Sequence, residues 1–156
     1  MVIKQVITSG QDNVAIGKDA LGANATGNNN TVVGYQALKG AGSHGNNTVM
    51  GWKAGYYTTS GNDNTLIGIN AGHHLTSGGA NVAIGSYAMS QQTTAGQNVA
   101  VGRNALYANV SGAANVAIGD QALTSATSSY NTAVGYYSAL NTAGGNANTT
   151  VGFQTL

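Results

Sequence analysis

At 156 residues the chain is long enough for one domain, but its inventory excludes the usual ways of building one. Hydrophobic residues make up 42%, mostly small, with one Phe and one Trp, so a conventional core would remove little apolar area from water. Charged residues are only 6% and the net charge is +1, which excludes the basic stripe of a nucleic-acid binder, and the lack of Cys excludes disulfides and thiolate metal sites.

Residues 1–12 form a lead-in without the apolar h-region of a signal peptide. No later stretch approaches the ~18 apolar residues of a membrane span. From residue 13 to 156 the chain is one repeat domain. The pentapeptide Asn-(Thr/Val)-x-(Ile/Val/Met)-Gly recurs as NVAIG, NTVVG, NTVMG, NTLIG, NVAIG, NVAVG, NVAIG, NTAVG and NTTVG. Its glycines are Gly17, Gly34, Gly51, Gly68, Gly85, Gly102, Gly119, Gly135 and Gly152, spaced by 17 residues except for one gap of 16. Regular Val and Ile without any Pro excludes a disordered chain.

Each pentapeptide predicts a strand. Ala follows three residues after most of the glycines, and Leu or Met usually comes next, although Gly55 and Gly72 break that column. A second glycine falls about ten residues after the first, at Gly27, Gly61, Gly78, Gly112 and Gly145. Each unit therefore reads as strand, turn, short apolar segment and Gly/Asn-rich turn, too short and too β-branched for helices. Seventeen residues bury no core alone, so the units must stack. The expected fold is all-β: a parallel β-solenoid, or β-roll, of about nine 17-residue coils, roughly 40 Å long at the spacing of hydrogen-bonded strands. The last repeat ends without a distinctive cap, which reads as part of a longer fibre or as an end covered by assembly.

Strand alternation divides each unit into two faces. The bulky column Ile16, Val33, Met50, Ile67, Ile84, Val101, Ile118, Val134 and Val151 shares a face with Val14, Thr31, Thr48, Thr65, Val82, Val99, Val116, Thr132 and Thr149, and is assigned to the interior. The opposite column is Ala15, Val32, Val49, Leu66, Ala83, Ala100, Ala117, Ala133 and Thr150. Being apolar too, it is expected to be covered by other chains, as a homotrimer interface. On that assignment, Arg at Ala100 or Ala117 abolishes assembly. The Asn column, Asn13 to Asn148, predicts an amide ladder along the rod.

The strings NVAIGxxAL and NTAVGxxxAL resemble the head repeats of YadA-like trimeric autotransporter adhesins, and similar strings occur in phage tail fibres. The resemblance spans residues 13–156 and implies a trimeric, left-handed parallel β-roll that presents an adhesive surface. The repeat here is longer than the adhesin unit, and no stalk coiled coil, membrane anchor or signal sequence is visible, which favours a virion fibre. The expected partners are further copies of the chain, other fibre components at its ends, and a host-surface glycan or protein receptor; neither nucleic acid nor membrane insertion is expected. The expected location is a virion fibre or the cell surface.

Catalysis is not expected. Asp12, Asp19, Asp63 and Asp120 are the only acids, and they lie in different repeats, whereas glycosidases need paired carboxylates. An acid pair shared between chains, as in a trimeric glycan depolymerase, is a minor reading. His44, His73 and His74 are read as solvated loop residues rather than metal ligands on a threefold axis, and no cofactor is expected. The receptor-binding candidates are Tyr35, Trp52, Tyr56, Tyr57, Tyr87, Tyr136 and Tyr137, because Tyr and Trp dominate binding hot spots. Trp52 with Tyr56 and Tyr57 is the densest cluster. The alternative to a structural and adhesive fibre is an ice-binding solenoid on the ladder Thr31, Thr48, Thr65, opposed by the assignment of that face to the interior.

Overall fold

The structure, a computed structural model, describes residues 10–23, 26–40, 42–125, 127–140 and 145–155. Of the lead-in, residues 1–9 lie outside this set. Nine three-residue strands follow one another: β1 (Val14–Ile16), β2 (Thr31–Val33), β3 (Thr48–Met50), β4 (Thr65–Ile67), β5 (Val82–Ile84), β6 (Val99–Val101), β7 (Val116–Ile118), β8 (Thr132–Val134) and β9 (Thr149–Val151). They form a single parallel sheet in sequence order. The register never slips, from Ala15 opposite Val32 to Ala133 opposite Thr150. The chain is a parallel β-solenoid, as the repeat predicts.

Closing a coil in so few residues needs sharp turns. The Ala20 amide donates to the Gly17 carbonyl at 3.3 Å, and the same bond recurs in later coils. This turn has a left-handed residue at its third position, such as Asp19 at φ 57°, Gln36 at 54° and Lys53 at 53°. Two residues on, Leu21 (53°) and Leu38 (47°) are left-handed as well. Such non-glycine conformations are costly, so they persist only where neighbours hold them. Here each is tied to an adjacent coil: Gln36 N–H donates to the Lys18 carbonyl at 2.9 Å, and Leu21 N–H to Ala37 at 2.9 Å. The strand-ending glycines from Gly17 to Gly135, at φ 127° to 141°, have no room for a side chain, because a Cβ there would strike the carbonyl of the next coil's glycine.

The two faces of the strands are the reverse of the sequence assignment. Val32, Val49, Leu66, Ala83, Ala100, Ala117 and Ala133 are fully buried inside the single chain, Thr150 is buried, and Ala15 packs against this interior at the first coil. They cannot be the trimer interface. The Val14/Thr31 and Ile16/Val33 columns point outward, with Val14 48%, Met50 49% and Ile118 41% exposed. The physical reason is the width of the lumen. A coil this small faces its strand directly against the Ala20/Leu21 segment, so it holds one inward side chain per strand, and the two flanking branched side chains go outside.

The interior exchanges volume between its walls. Several coils set a small strand residue against a large one, as Ala83 with Met89, Ala100 with Leu106 and Ala117 with Leu123, all buried. At Leu66 the order inverts. A Cβ on Gly55 would lie 2.9 Å from Leu66 Cδ1, and one on Gly72 would lie 2.8 Å from Leu66 Cδ2. The two glycines that interrupt the Leu column therefore make room for the largest strand-centre residue, as close packing requires. Near the C-terminal end, Ser138 and Thr150 fill the same space with a hydroxyl–hydroxyl bond of 2.8 Å.

The amide ladder is present and largely buried. Asn47 Oδ1 accepts from the backbone N–H of Asn64 at 2.9 Å and from its Nδ2 at 3.2 Å. Asn47 Nδ2 donates in turn to the Gly61 carbonyl at 3.0 Å. This pattern satisfies donors and acceptors that burial would otherwise penalise. It survives the one short coil, where Asn131 N–H donates to Asn115 Oδ1 at 2.8 Å.

Candidate functional site

The slots one, two, five and six residues after each strand-ending glycine stack into adjacent columns along one side of the rod. All seven aromatic candidates fall in these four columns: Tyr35, Trp52 and Tyr136 in the first, Tyr87 and Tyr137 in the second, Tyr56 in the third and Tyr57 in the fourth. Each of them is exposed or half-buried. The parallel register brings residues one repeat apart into contact, which is how a dispersed set of aromatics becomes one stripe.

At the N-terminal end the stripe combines rings with cations. Tyr35 stacks on Trp52 with centroids 6.3 Å apart and planes 14° from parallel. Tyr56 stacks on His73 at 5.4 Å and 9°, and Tyr57 lies against His74 at 5.1 Å. Lys18 Nζ lies 6.0 Å from the Tyr35 centroid, and Lys39 Nζ lies 5.6 Å from that of Tyr56. Lys53 bridges the columns, 4.5 Å from Trp52 and 5.3 Å from Tyr56. Burial lowers the pKa of His73, and the neighbouring charges of His74 and Lys53 lower it further.

The C-terminal end differs. Arg103 pairs with Asp120 at 2.9 Å, the one ion pair among the described residues. Ser86, Tyr87, Arg103, Asn104, Tyr107 and Thr124 line a shallow depression of about 400 Å³. Beyond it Tyr136 stacks on Phe153 at 5.6 Å, and Tyr137 meets Tyr136 edge-on at 4.2 Å. The hydrogen bond with Tyr137 raises the pKa of Tyr136.

The structure separates the three histidines. His73 and His74 lie half-buried in the ring cluster, not free in a solvated loop. His44 is fully buried, with Nε2 3.1 Å from the Gly40 carbonyl and Nδ1 unpartnered. Its pKa is lowered by desolvation, partly opposed by the bond to Gly40. No group of three potential metal ligands occurs among the described residues.

The four acids occupy separate places: Asp19 accepts from Gln36 at 3.4 Å, Asp63 from Asn46 at 3.0 Å, Asp120 from Arg103, and Asp12 is exposed at the first coil. Sequence reasoning on the aromatics alone missed Lys18, Lys39, Lys53, His73 and His74 as parts of the cluster. Counting slots from each glycine places Lys18 with Tyr35 and Trp52, and Lys39 with Tyr56 and His73. Comparison of the chain with protein-family models, curated proteins and solved structures gives no match, so its function is argued from its own surfaces.

Proposed function

We propose that the chain is a rigid fibre module that assembles side by side with two further copies and carries the aromatic stripe as its presented surface. The observation behind this reading is the outward face of the sheet. Two rows of side chains, one of Val and Thr and one of Ile, Val and Met, run across nine strands in constant register. Strands apolar on both faces are normally covered on both. The interior accounts for one face, and a second copy with the same row spacing is a natural cover for the other. A protomer rotated about a common axis presents equal rows at equal heights, so every coil matches its counterpart. The role is structural and adhesive, at a virion fibre or a cell surface, with other fibre components at the rod's ends.

Light scattering tests the assembly. The wild-type chain should have a mass near three times 15.5 kDa. Ile84→Arg and Ile118→Arg should give folded chains at the single-chain mass, because a charge cannot be buried unpaired in an apolar contact. Variants that keep the assembled mass would refute this interface.

A second reading uses the same face. Thr31, Thr48 and Thr65 point outward in register on neighbouring strands, the arrangement that an ice-ordering surface needs. The outward orientation removes the objection that the sequence assignment raised. Val82, Val99 and Val116 interrupt the ladder, and an ice recrystallisation assay decides the matter.

A further inference from the structure

The N-terminal half of the stripe concentrates positive charge without neutralising it. Lys18, Lys39 and Lys53 are three of the five cationic side chains in the chain. No carboxylate comes within ion-pairing distance of them among the described residues, while Arg103 on the same stripe is paired with Asp120. Each of the three ammonium groups rests instead near an aromatic ring. Asp19 is the one acid in the N-terminal half of these columns, next to Lys18 in sequence, two coils from Lys53 and hydrogen-bonded to Gln36.

Ring orientation limits what can bind. Tyr35 and Trp52 turn their faces to one another, as do Tyr56 and His73, and the ammonium groups lie over further faces. Stacked along the rod, these rings present their edges outward. Ring edges carry the positive part of the aromatic quadrupole. Edges and ammonium groups together form a positive surface with Tyr hydroxyls as hydrogen-bonding groups. Single-stranded nucleic acid binds through open ring faces on which bases stack, and those faces are largely occupied here. A sugar polymer with anionic groups needs no open face, since its carboxylates or phosphates meet the ammonium groups and its hydroxyls meet Tyr.

We propose that this cluster is a binding site for an acidic glycan lying along the rod axis, engaged chiefly by Lys39, in the column of Tyr56 and His73, and by Lys53, which bridges the columns of stacked rings. The proposal deepens the reading of the stripe as a presented surface, but the site is built within one chain. His73 adds charge to it on acidification, below the usual histidine range, because burial and the charges of His74 and Lys53 lower its pKa. It is faced by Tyr56, Tyr57, His74 and Lys53, and by Ser90 and Gln91, both uncharged, in the next coil. Binding should therefore strengthen as pH falls through the lowered pKa of His73.

The test uses the full chain and measures its affinity for polygalacturonate, for a phosphomannan, for neutral dextran and for a dT oligonucleotide. Binding of either acidic polymer, weakened by salt and absent for dextran, is expected, and the preferred polymer distinguishes carboxylate from phosphate. Lys39→Gln with Lys53→Gln should weaken it about tenfold or more, with an unchanged thermal midpoint. His73→Gln should remove the rise at low pH. Lack of binding to both acidic polymers, equal binding of dextran, preference for the oligonucleotide, or indifference to the lysine pair would each overturn the proposal. The Ile84→Arg chain separates the two ideas. Retained glycan binding at the single-chain mass supports the site apart from assembly, and normal assembly without glycan binding leaves only the fibre reading.

Discussion

Neighbouring residues on one strand live under opposite constraints. At β6, Ala100 points into a lumen with no spare volume, while Val99 and Val101 point out onto a flat, partly exposed face. At Leu66 the inward column changes size together with the opposite wall, at Gly55 and Gly72. The outward column varies among Val, Thr, Ile and Met with no such exchange. Packing inside a narrow coil, and not hydrophobicity alone, decides which apolar residue faces in.

The largest effect that would break this comparison comes from charge on the inward side. Ala100→Arg or Ala117→Arg should abolish the fold itself, seen as loss of the β-sheet circular dichroism signal, because no buried partner exists for the guanidinium. Ile84→Arg should leave that signal intact and change only the mass.

A smaller effect tests volume exchange. Leu66→Ala should cost about 2–5 kcal/mol in denaturant unfolding. Gly72→Leu alone should also destabilise, since its side chain would meet Leu66. Together the two should recover much of the loss, because Leu21 and Leu38 already adopt the same left-handed backbone. Additive losses in the double variant would contradict the packing account.

Breaking the ladder at Asn81→Ala removes the acceptor of the Asn98 backbone N–H (3.0 Å) and the donor to the Ala95 carbonyl, while Asn98 Nδ2 keeps its bond to the Gly112 carbonyl. Unsatisfied buried groups of this kind cost about 1–3 kcal/mol each, partly recovered if water enters. The same change at Asn13, in the half-exposed first coil, should cost less. Equal losses at the two positions would show that burial does not set the ladder's worth.

The smallest effect is on pH. His44 binds its proton less readily folded than unfolded, so its contribution to stability is present above about pH 6.5 and fades as pH falls below it. His73 acts in the same direction. Thermal midpoints should be level above that pH and decline below it. His44→Gly, the residue that Gly27 and Gly61 supply in neighbouring coils, should flatten part of the decline. An unchanged slope would remove His44 as its cause.

Much of the fold was legible because the repeat is strict. The glycine spacing gave the coil length, the strand positions and the constant register, and the Asn column gave the ladder. The inside and outside faces were misread because bulk was taken as the mark of burial. The sequence did hold the corrective signal. Asn13 and Ala15 share a strand face, so an amide ladder regular enough to fill every coil places the Ala column inside with it. Gly55 and Gly72 flanking Leu66 was a second signal. The aromatic candidates were legible as residue types, but their stacking with lysines depended on slots one repeat apart. The burial of His44 was not legible, since the other coils place Gly, Ala or Ser in that slot.

The central claim is that the outward Val/Thr and Ile/Val/Met face is where copies of the chain meet. Light scattering on the wild-type chain beside Ile84→Arg tests it most directly. The account predicts a mass near three times 15.5 kDa for the first and near 15.5 kDa, still folded, for the second. A wild-type chain that is monomeric, or an Ile84→Arg chain that assembles unchanged, would contradict it.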